Sequence, residues 1–499
     1  MNFPDAFISK TKAVLGDDFD AFIQAMDEEP PVSIRMNKDK DLPLPKGDRL
    51  PQDNFESITG KSYPPPEGVE GGLKTEKIIP WASNAYYLKE RPAFTFDPLF
   101  HAGCYYVQEA SSMFLEQIIK AYISAPVKCL DLCAAPGGKS THLSSVLPEK
   151  SLLIANEVIR SRSYILSENL IKWGNPYTIV TNNDPEIIAK SFPAFFDVIV
   201  ADVPCSGEGM FRKDKNAIAE WSLANVNLCA ERQKRIIADI WPALKSGGIL
   251  VYSTCTFNLE ENEENIHWII KTFGAEPIDV SLPEEWIITR AKKYDYPVFR
   301  FIPAKTKGEG FFIAALRKPD GQPLSNTTFR KKTDKIKKEK TAIPVQINDR
   351  IIDHNSFSIR IKNNVISAFP KKYESEYEEI SDALRIIHAG ITIGEIKGKD
   401  IVPDHSLAMS ANFNLAAFPF VEIDEETAIN YLRRETIQLP AQTPKGYIVL
   451  CFRNHPLGFV KNIGNRTNNL YPQEWRIRLS LTRSIAPQFR AKRGNLSLA

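Results

Sequence analysis

Residues 127–141, VKCLDLCAAPGGKST, join an apolar run to a loop of small residues and then to a helix-like stretch. Residues 127–132 predict a buried strand. The loop that follows consists of Cys133, Ala134, Ala135, Pro136, Gly137, Gly138 and Lys139. Small side chains let a ligand approach the backbone, and a helix opening at Ser140 or Thr141 would offer free N–H groups to an anionic group. The stretch therefore predicts a ligand site at a strand end, with a plain tight turn as the alternative.

Apolar runs and helix-like stretches alternate around this loop, from about residue 94 to residue 318. Further strands are predicted at residues 152–156, 177–181, 196–202, 248–253 and 310–316. Such alternation is typical of βαβ units on a parallel sheet. The predicted fold class is therefore α/β with a Rossmann-like core.

Acidic residues follow three of these strands and narrow the choice of ligand. Glu157 lies where an acid suits ribose hydroxyls, and Asp202 ends the fourth strand. Asp184 follows the third strand, where it could contact a nucleoside or cap the helix predicted at residues 185–190. The loop lacks both the G-x-G-x-x-G and the G-x-x-x-x-G-K-[ST] pattern. A nucleoside with a short zwitterionic tail fits best, which indicates S-adenosylmethionine.

Two cysteines also follow predicted strands: Cys205 in DVPCSG and Cys255 in YSTCT. Ligands of parallel α/β sheets collect beyond the carboxyl ends of the strands, so both thiols should face one crevice. A thiolate can add to an electron-poor carbon and later leave, which suits covalent catalysis. The alternative for each residue is a buried structural cysteine.

Composition indicates a modular globular protein. The chain has 499 residues, 43% hydrophobic and 25% charged, with a formal net charge of +2, so we expect two to four domains. Its seven cysteines contain no C-x-x-C, which favours neither a disulfide framework nor a zinc site. We see no signal peptide and no apolar run of membrane-spanning length, and we expect a cytoplasmic protein without metal.

Taken together, the motifs resemble those of the Nol/Nop/Sun group of RNA 5-methylcytosine methyltransferases. The matching stretches are YVQEASSM from Tyr106, LDLCAAPGGKSTHL from Leu130, DVPCSGEGMFRKD from Asp202, YSTCTFNLEENE from Tyr252 and GEGFFIAALRK from Gly308, with SIRMN from Ser33 and HPLGFVKNIGNRTNNLYP from His455 outside the core. The resemblance covers nearly the whole chain. One departure is Pro303-Ala304 where the family commonly has Pro-His, which puts in doubt a histidine role there but not the cysteine chemistry.

The resemblance implies a class I methyltransferase that methylates carbon 5 of a cytosine in RNA. By this likeness Cys255 is the nucleophile and Cys205 helps at release. Asp202 would contact the cofactor or the target ring, and Lys139 would hold the cofactor tail or a nearby carboxylate rather than reach solvent. The implied substrate is 16S ribosomal RNA of the small subunit, with transfer RNA as an alternative. We expect a monomer.

The sequence predicts the following organisation: 1–93 a small mixed N-terminal RNA-binding domain, 94–318 the methyltransferase domain, 319–345 a basic linker, 346–420 a connecting domain, 421–480 a β-rich PUA-like RNA-binding domain and 481–499 a tail. A hairpin is predicted around Asn454-His455-Pro456. Basic runs at 330–340 and 476–493 could attract phosphates. Candidate RNA contacts are Arg453, Lys461, Arg466, Tyr471 and Trp475; solvated charges and packed rings are the alternative.

Two other functions compete with this interpretation. One is a non-catalytic RNA-binding factor of ribosome assembly on a methyltransferase scaffold. The other is an enzyme acting on an exocyclic amine, a class that often carries (D/N)-P-P-(Y/F) where this chain has D-V-P-C. Intact Cys205, Cys255 and the cofactor loop speak against the first, and the D-V-P-C stretch, with its thiol, speaks against the second.

Overall fold

The computed structural model of the protein describes residues 1–40, 75–321 and 345–478. The first part contains α1 (Asp5–Leu15), α2 (Phe19–Met26), β1 (Val32–Met36), β2 (Thr75–Ile78), β3 (Ala85–Leu88), α3 (Pro98–His101) and β4 (Tyr105–Val107). Its four strands pair antiparallel in the order β2-β3-β1-β4. The apolar face of α1 and α2 packs on the next part of the chain, where the Phe7 ring lies 5.1 Å from Phe211 and the Phe22 ring 4.9 Å from Phe257.

The second part of the chain is built on one large sheet with helices packed against it. Its elements are α4 (Leu115–Tyr122), β5 (Lys128–Asp131), α5 (Gly138–Val146), β6 (Leu152–Asn156), α6 (Arg160–Trp173), β7 (Thr178–Thr181), α7 (Pro185–Ser191), β8 (Phe196–Asp202), α8 (Lys215–Glu220), α9 (Leu223–Ile240), β9 (Leu244–Thr254), α10 (Glu263–Phe273), β10 (Glu276–Ile278), β11 (Val298–Phe301) and β12 (Phe311–Arg317).

The chain beyond residue 345 forms two further sheets. The first group contains β13 (Phe357–Lys362), β14 (Val365–Pro370), α11 (Glu374–Ala383), β15 (Ile386–Ala389), β16 (Ile391–Lys397), β17 (Asp400–Pro403) and α12 (His405–Met409). The second contains β18 (Phe420–Glu422), α13 (Glu425–Leu432), β19 (Gly446–Phe452), β20 (His455–Asn462) and β21 (Thr467–Asn469). The strand orders are β13-β14-β16-β17 and β18-β19-β20-β21.

The nine-stranded sheet has the order β10-β12-β9-β8-β5-β6-β7-β15, with β11 also paired to β12. Strands β9, β8, β5, β6 and β7 are mutually parallel. From β5 the chain first proceeds to β6 and β7 on one side, and later to β8 and β9 on the other. The ends of β5 and β8 therefore flank a topological switch point, where ligands bind in sheets of this kind. The Rossmann-like fold is confirmed.

The predicted strands at residues 152–156 and 196–202 have the predicted bounds, and the other four differ by a few residues at their ends. The expectation that a helix opens at Ser140 or Thr141 was wrong: α5 begins at Gly138. Glycine is a poor helix former in a helix interior, but at the first turn its cost is offset because Gly137 takes the left-handed conformation, with φ 119°, that turns the chain into the helix.

The predicted hairpin exists, but its turn was misplaced. The turn residues are Arg453 and Asn454, with φ of 49° and 65°, and β20 already begins at His455. Pro456 lies within β20 opposite Cys451, next to a register shift in the ladder. A strand tolerates proline at such an irregularity because the ladder loses a hydrogen bond there anyway.

Some sequence-based expectations fall outside the described residues, namely the basic run at 330–340, most of the linker and the tail beyond residue 478. Across the described ranges, no helix combines the length and the apolar character needed to cross a membrane.

Candidate active site

The structure brings the two cysteines of the predicted crevice together. Strands β8 and β9 are neighbours, with Asp202 opposite Ser253 at their carboxyl ends. Cys255 follows β9 directly, and Cys205 lies three residues beyond β8. Their Sγ atoms are 3.0 Å apart, and both side chains are half-buried. The sheet alone therefore explains why residues 50 positions apart form one pair of thiols.

Two glycines allow the loops around this pair to approach each other. The N–H of Gly209 donates to the carbonyl oxygen of Cys255 at 2.9 Å. A Cβ on Gly209 would lie 2.5 Å from the oxygen of Gly310, and a Cβ on Gly310 would lie 2.3 Å from the ring of Phe257. Backbone this close to backbone leaves no room for a side chain, which explains a glycine in both GEG stretches.

The environment of Cys205 favours its protonated form. The hydrogen bond with Cys255 raises the pKa of the Cys205 thiol well above its usual value, and burial and the negative charge of Glu261 raise it further. A thiol rather than a thiolate therefore stands beside Cys255.

Lys139 and Asp202 form an ion pair beside the cysteines. Lys139 lies in the first turn of α5, and its Nζ is 2.8 Å from Asp202 Oδ2. The other oxygen of Asp202 accepts a hydrogen bond from Ser253 Oγ at 2.7 Å. Burial lowers the pKa of Lys139, but its interaction with Asp202 outweighs this and raises it overall, so the cation is retained. Of the two roles expected for Lys139, the structure shows the contact with a nearby carboxylate.

Helix α6 holds the loop of residues 133–139 in place from one side. Arg162 donates to the carbonyl oxygen of Ala135 and Asn169 to that of Pro136, both at 2.8 Å. The N–H of Ala134 donates to Asn156 O at 2.8 Å. At the start of the loop, burial raises the pKa of the Cys133 thiol well above its usual range, so this cysteine stays neutral.

Glu157 and Asp184 lie at the ends of the neighbouring strands, as the sequence predicted. Glu157 is 2% exposed. Its carboxylate accepts a hydrogen bond from the N–H of Ile159 at 2.9 Å and forms an ion pair with Arg162 at 3.4 Å. Asp184 is exposed and stands at the N-cap of α7, but its side chain makes no capping hydrogen bond. The alternative role of Asp184 as a helix cap is therefore not realised.

Sequence reasoning missed Asp131, the last residue of β5. This carboxyl group is fully buried and accepts the Ser140 hydroxyl at 2.6 Å through Oδ2. Its Oδ1 has no hydrogen-bond partner among the described residues. Burial raises the pKa of Asp131 to about 7. A buried acceptor left open beside a ligand loop fits the ammonium group of a zwitterionic tail; the only signal in the sequence was an acid inside an apolar strand.

Three further buried residues beside the cysteines were also missed: Glu208, Asn258 and Glu261. They lie in the loops after β8 and β9, and their side chains accept hydrogen bonds from backbone N–H groups of these loops. In the sequence they look like ordinary polar loop residues, because the pattern of polar and apolar residues does not show which loops become buried.

The five candidate RNA contacts have different surroundings. Tyr471 is 1% exposed and belongs to the core between the first and last parts of the chain. Trp475 is half-buried against the ring of His405, and Lys461 bonds to Asp400 at 2.6 Å. Arg466 is exposed just before β21, whereas Arg453 is half-buried in the turn before β20 and stacks 5.0 Å from the Phe452 ring. The described part of the chain contains no cluster of His, Cys, Asp or Glu suited to a metal ion.

Comparison with known protein families gives three matches along the chain. The family described as 16S rRNA methyltransferase RsmB/F matches residues 125–317. The RsmF methyltransferase PUA domain matches residues 418–477, and the N-terminal domain of 16S rRNA methyltransferase RsmF matches residues 67–110. The matches cover the nine-stranded sheet apart from β15, the last sheet and part of the first.

Curated relatives match over most of their length. Ribosomal RNA small subunit methyltransferase F of Shewanella oneidensis is 31% identical over 415 residues, covering 80% of this chain and 85% of the relative. The proteins of the same name from Escherichia coli K12 and Erwinia tasmaniensis are each 28% identical, covering 95% of this chain and 96% of the relative.

Two solved structures share the fold. A methyltransferase homologue from Pyrococcus horikoshii is 26% identical with a TM-score of 0.50, covering 64% of this chain and 96% of that chain. The structure titled PH0851 is 24% identical with a TM-score of 0.52, covering 63% of this chain and 66% of that chain. With the sheet, the paired cysteines and these matches in place, the chain belongs to the ribosomal RNA small subunit methyltransferase F family.

Proposed function

We propose that this chain transfers a methyl group from S-adenosylmethionine to carbon 5 of a cytosine in RNA, with 16S ribosomal RNA as the substrate. The observation that carries the proposal is the distance of 3.0 Å between the sulfur atoms of Cys205 and Cys255, beside the loop that contains Lys139. One thiol can add to the pyrimidine ring while the other assists its departure. The names of the relatives and of the matching family support ribosomal RNA as the substrate class.

The residues around the loop fit S-adenosylmethionine, which supplies an electrophilic methyl group on a sulfonium. The open Oδ1 of Asp131 would take the ammonium group. The loop of residues 133–139 and the first N–H groups of α5 would take the carboxylate. Glu157 would hold the ribose hydroxyls, and Asp184 would face the nucleoside. We propose this set as the cofactor site.

Attack begins at Cys255. Its thiolate adds to carbon 6 of the cytosine, forming an S–C6 bond and moving the ring's π electrons towards carbon 5, which then takes the methyl group. Lys139 lies close enough for its charge to interact with Cys255. Asp202, paired to Lys139, would face the polar edge of the ring.

Release needs a second group at the same sulfur. The proton on carbon 5 leaves to water, its electron pair restores the C5–C6 double bond, and the electrons of the S–C6 bond return to the Cys255 sulfur. The protonated Cys205, 3.0 Å away, donates its S–H to this departing sulfur. Without that donor the adduct should persist.

The target cytosine must leave its base stack so that a thiolate can reach carbon 6. We propose that the part at residues 421–480 and the N-terminal part present the RNA to the crevice, with the exposed Arg466 and the half-buried Arg453 as candidate cations. Both thiols have to stay reduced, so we place the reaction in the cytoplasm, carried out by a monomer.

The cysteine roles can be tested with labelled S-adenosylmethionine, ribosomal RNA and a denaturing gel. Cys255→Ala should lower methyl transfer more than about a thousandfold because the nucleophile is lost. Cys205→Ala should accumulate a denaturation-resistant protein–RNA adduct. An adduct formed by Cys255→Ala instead would reverse the two roles, and no methyl transfer by the wild type to any RNA would favour a non-catalytic RNA-binding factor.

A further inference from the structure

The two loops that carry the cysteines are tied together by a pair of buried carboxylates. Glu208, in the loop after β8, accepts the backbone N–H groups of Phe257 at 2.7 Å and Asn258 at 3.0 Å in the loop after β9. In the opposite direction, Glu261 accepts the N–H of Ser206 at 2.9 Å. Each carboxylate therefore holds the backbone of the other loop, within three residues of that loop's cysteine.

Asn258 joins the two carboxylates. Its Nδ2 lies 2.7 Å from Glu261 Oε1 and 3.1 Å from Glu208 Oε1. Its Oδ1 accepts the N–H of Glu261 at 2.9 Å. One amide thus links both loops, and an apolar side chain in its place could make none of these bonds.

Burying these three polar side chains costs free energy of desolvation. Glu208 is 2% exposed, Asn258 4% and Glu261 0%. The hydrogen-bond donors that face the two carboxylates belong to neutral groups, including the indole of Trp221 and the amide of Gln233. Burial raises the pKa of Glu261, and the neighbouring charge of Glu208 adds to this. Apolar packing could join two loops at lower cost; what the carboxylates add is fixed geometry and negative potential.

The negative charge of Glu261 acts on the thiol of Cys205. Ser206, bonded to Glu261, is the residue next to Cys205. On the other side, the cation of Lys139 interacts with Cys255. A carboxylate therefore lies beside the loop of Cys205, whereas the cation at the start of α5 lies beside Cys255, so the two thiols are not equivalent.

We propose that Glu208, Asn258 and Glu261 are positioning residues for the release step: they hold the loop of Cys205 on the loop of Cys255, so that the Cys205 S–H remains at hydrogen-bond distance from the sulfur that leaves the cytosine. This inference rests on the proposed function. It predicts that loosening the tie slows release more than attack.

The test compares Asn258→Ala with the matched variant Asn265→Ala in the full-length protein. Asn265 is 1% exposed and donates to Gln233 Oε1 at 2.7 Å and to the Tyr252 hydroxyl at 3.2 Å. Its loss removes none of the bonds between the two cysteine loops described above, and it leaves in place the bonds that Gln233 and Tyr252 donate to Glu261. The readout is the ratio of denaturation-resistant adduct to methylated product, with the melting temperature measured alongside. We expect this ratio to rise at least about tenfold in Asn258→Ala and to stay near the wild-type value in Asn265→Ala.

Glu261→Gln provides a second variant that keeps the side-chain volume. Removing the negative charge beside Cys205 should lower the pKa of its thiol, and release needs the protonated thiol. The pH at which release begins to fail should therefore shift downwards relative to the wild type. A loss of structure alone would lower the rate without moving this pH.

Equal adduct ratios in Asn258→Ala and Asn265→Ala, or an unshifted pH profile in Glu261→Gln, would overturn the inference. If the inference fails in this way but Cys205→Ala still accumulates adduct in the same assay, the proposed function is retained and only the positioning role is rejected. If Cys205→Ala forms no adduct while the wild type methylates RNA, the assignment of release to Cys205 falls, and the positioning role falls with it.

Discussion

Asp131 shows how one residue can make ligand binding depend on pH. The carboxyl group is buried at the end of β5, and its Oδ1 has no hydrogen-bond partner within the described ranges. With its pKa raised to about 7 by burial, it is protonated below neutral pH while the ligand is absent. A ligand ammonium group placed against it would favour the ionised form.

Binding of S-adenosylmethionine should therefore release a proton from Asp131 below pH 7. Affinity should fall as the pH is lowered from 7 to 5, by up to about tenfold per pH unit, because the proton competes with the ligand. Calorimetry in buffers of different ionisation enthalpy measures the proton release directly. The Asp131→Asn variant should bind S-adenosylmethionine more weakly at pH 8, and its affinity should no longer depend on pH. An affinity that is constant between pH 5 and 8 in the wild type would contradict this role.

The pair of cysteines could be located from the sequence because each follows a buried parallel strand, and adjacent strands end at one edge. The strand end also predicted the positions of Glu157 and Asp202. The tie formed by Glu208, Asn258 and Glu261 could not be predicted. Its hydrogen bonds join two loops that are 50 residues apart, and nothing in loop composition indicates which polar groups become buried.

At the scale of elements, the SIRMN stretch connects the N-terminal sheet to α5, the helix that follows the proposed cofactor loop. Arg35, in β1, is 1% exposed and donates to Gln108 Oε1 at 3.1 Å and to Thr141 Oγ1 in α5 at 2.7 Å. Its guanidinium stacks 4.4 Å from the ring of Trp173 at the end of α6. Burial lowers the pKa of Arg35 to about 9, so it remains charged at neutral pH. One side chain thus fixes both helices that surround the cofactor loop.

Arg35→Met should lower the free energy of unfolding by about 2–4 kcal/mol, because buried partners lose their donor. It should also weaken cofactor binding, since α5 loses its anchor. Urea unfolding and a binding titration measure the two effects. The control is Arg290→Met: Arg290 pairs with Asp279 at 2.7 Å on the surface and stacks on Phe299, and its loss should cost less than about 1 kcal/mol. Equal losses in both variants would contradict the anchoring role.

The parallel strands were predictable as elements because a strand buried on both faces is a continuous apolar run. Exact bounds followed where the run was sharply limited, as in β6 and β8. The start of α5 and the turn before β20 were misplaced for local reasons: Gly138 was treated as a loop residue, and Pro456 was treated as a turn residue although it lies in a strand.

At the scale of the whole molecule, the catalytic sheet continues into the chain beyond residue 345. Strand β15 pairs antiparallel with β7, so that Ile386 lies opposite Thr181. Just before it, Arg385 exchanges hydrogen bonds with the loop that leads to Asp184: its N–H donates to Asn183 Oδ1 at 3.1 Å and its carbonyl accepts the N–H of Asn182 at 3.0 Å. The later part of the chain therefore supports the edge of the proposed cofactor site.

This pairing joins residues about 200 positions apart. Nothing in the short sequence of Ile386–Ala389 indicates which strand it pairs with. Long-range strand pairing is decided by the assembled sheet edge rather than by local propensity. The N-terminal part behaves similarly, since β4 at Tyr105–Val107 completes the first sheet although the sequence suggested a boundary near residue 93. The domain limits remain a prediction. The pairing of β1 with β4 and of β7 with β15 crosses the predicted limits.

The most direct test of the central claim uses RNA that carries tritium on carbon 5 of its cytosines, incubated with the full-length protein and S-adenosylmethionine. Methylation at carbon 5 must expel that tritium into water, so tritium release should equal methyl incorporation, and both should vanish in Cys255→Ala. Methyl incorporation without tritium release would place the methyl group on another atom. That result would contradict the account, as would full activity of the Cys255→Ala variant.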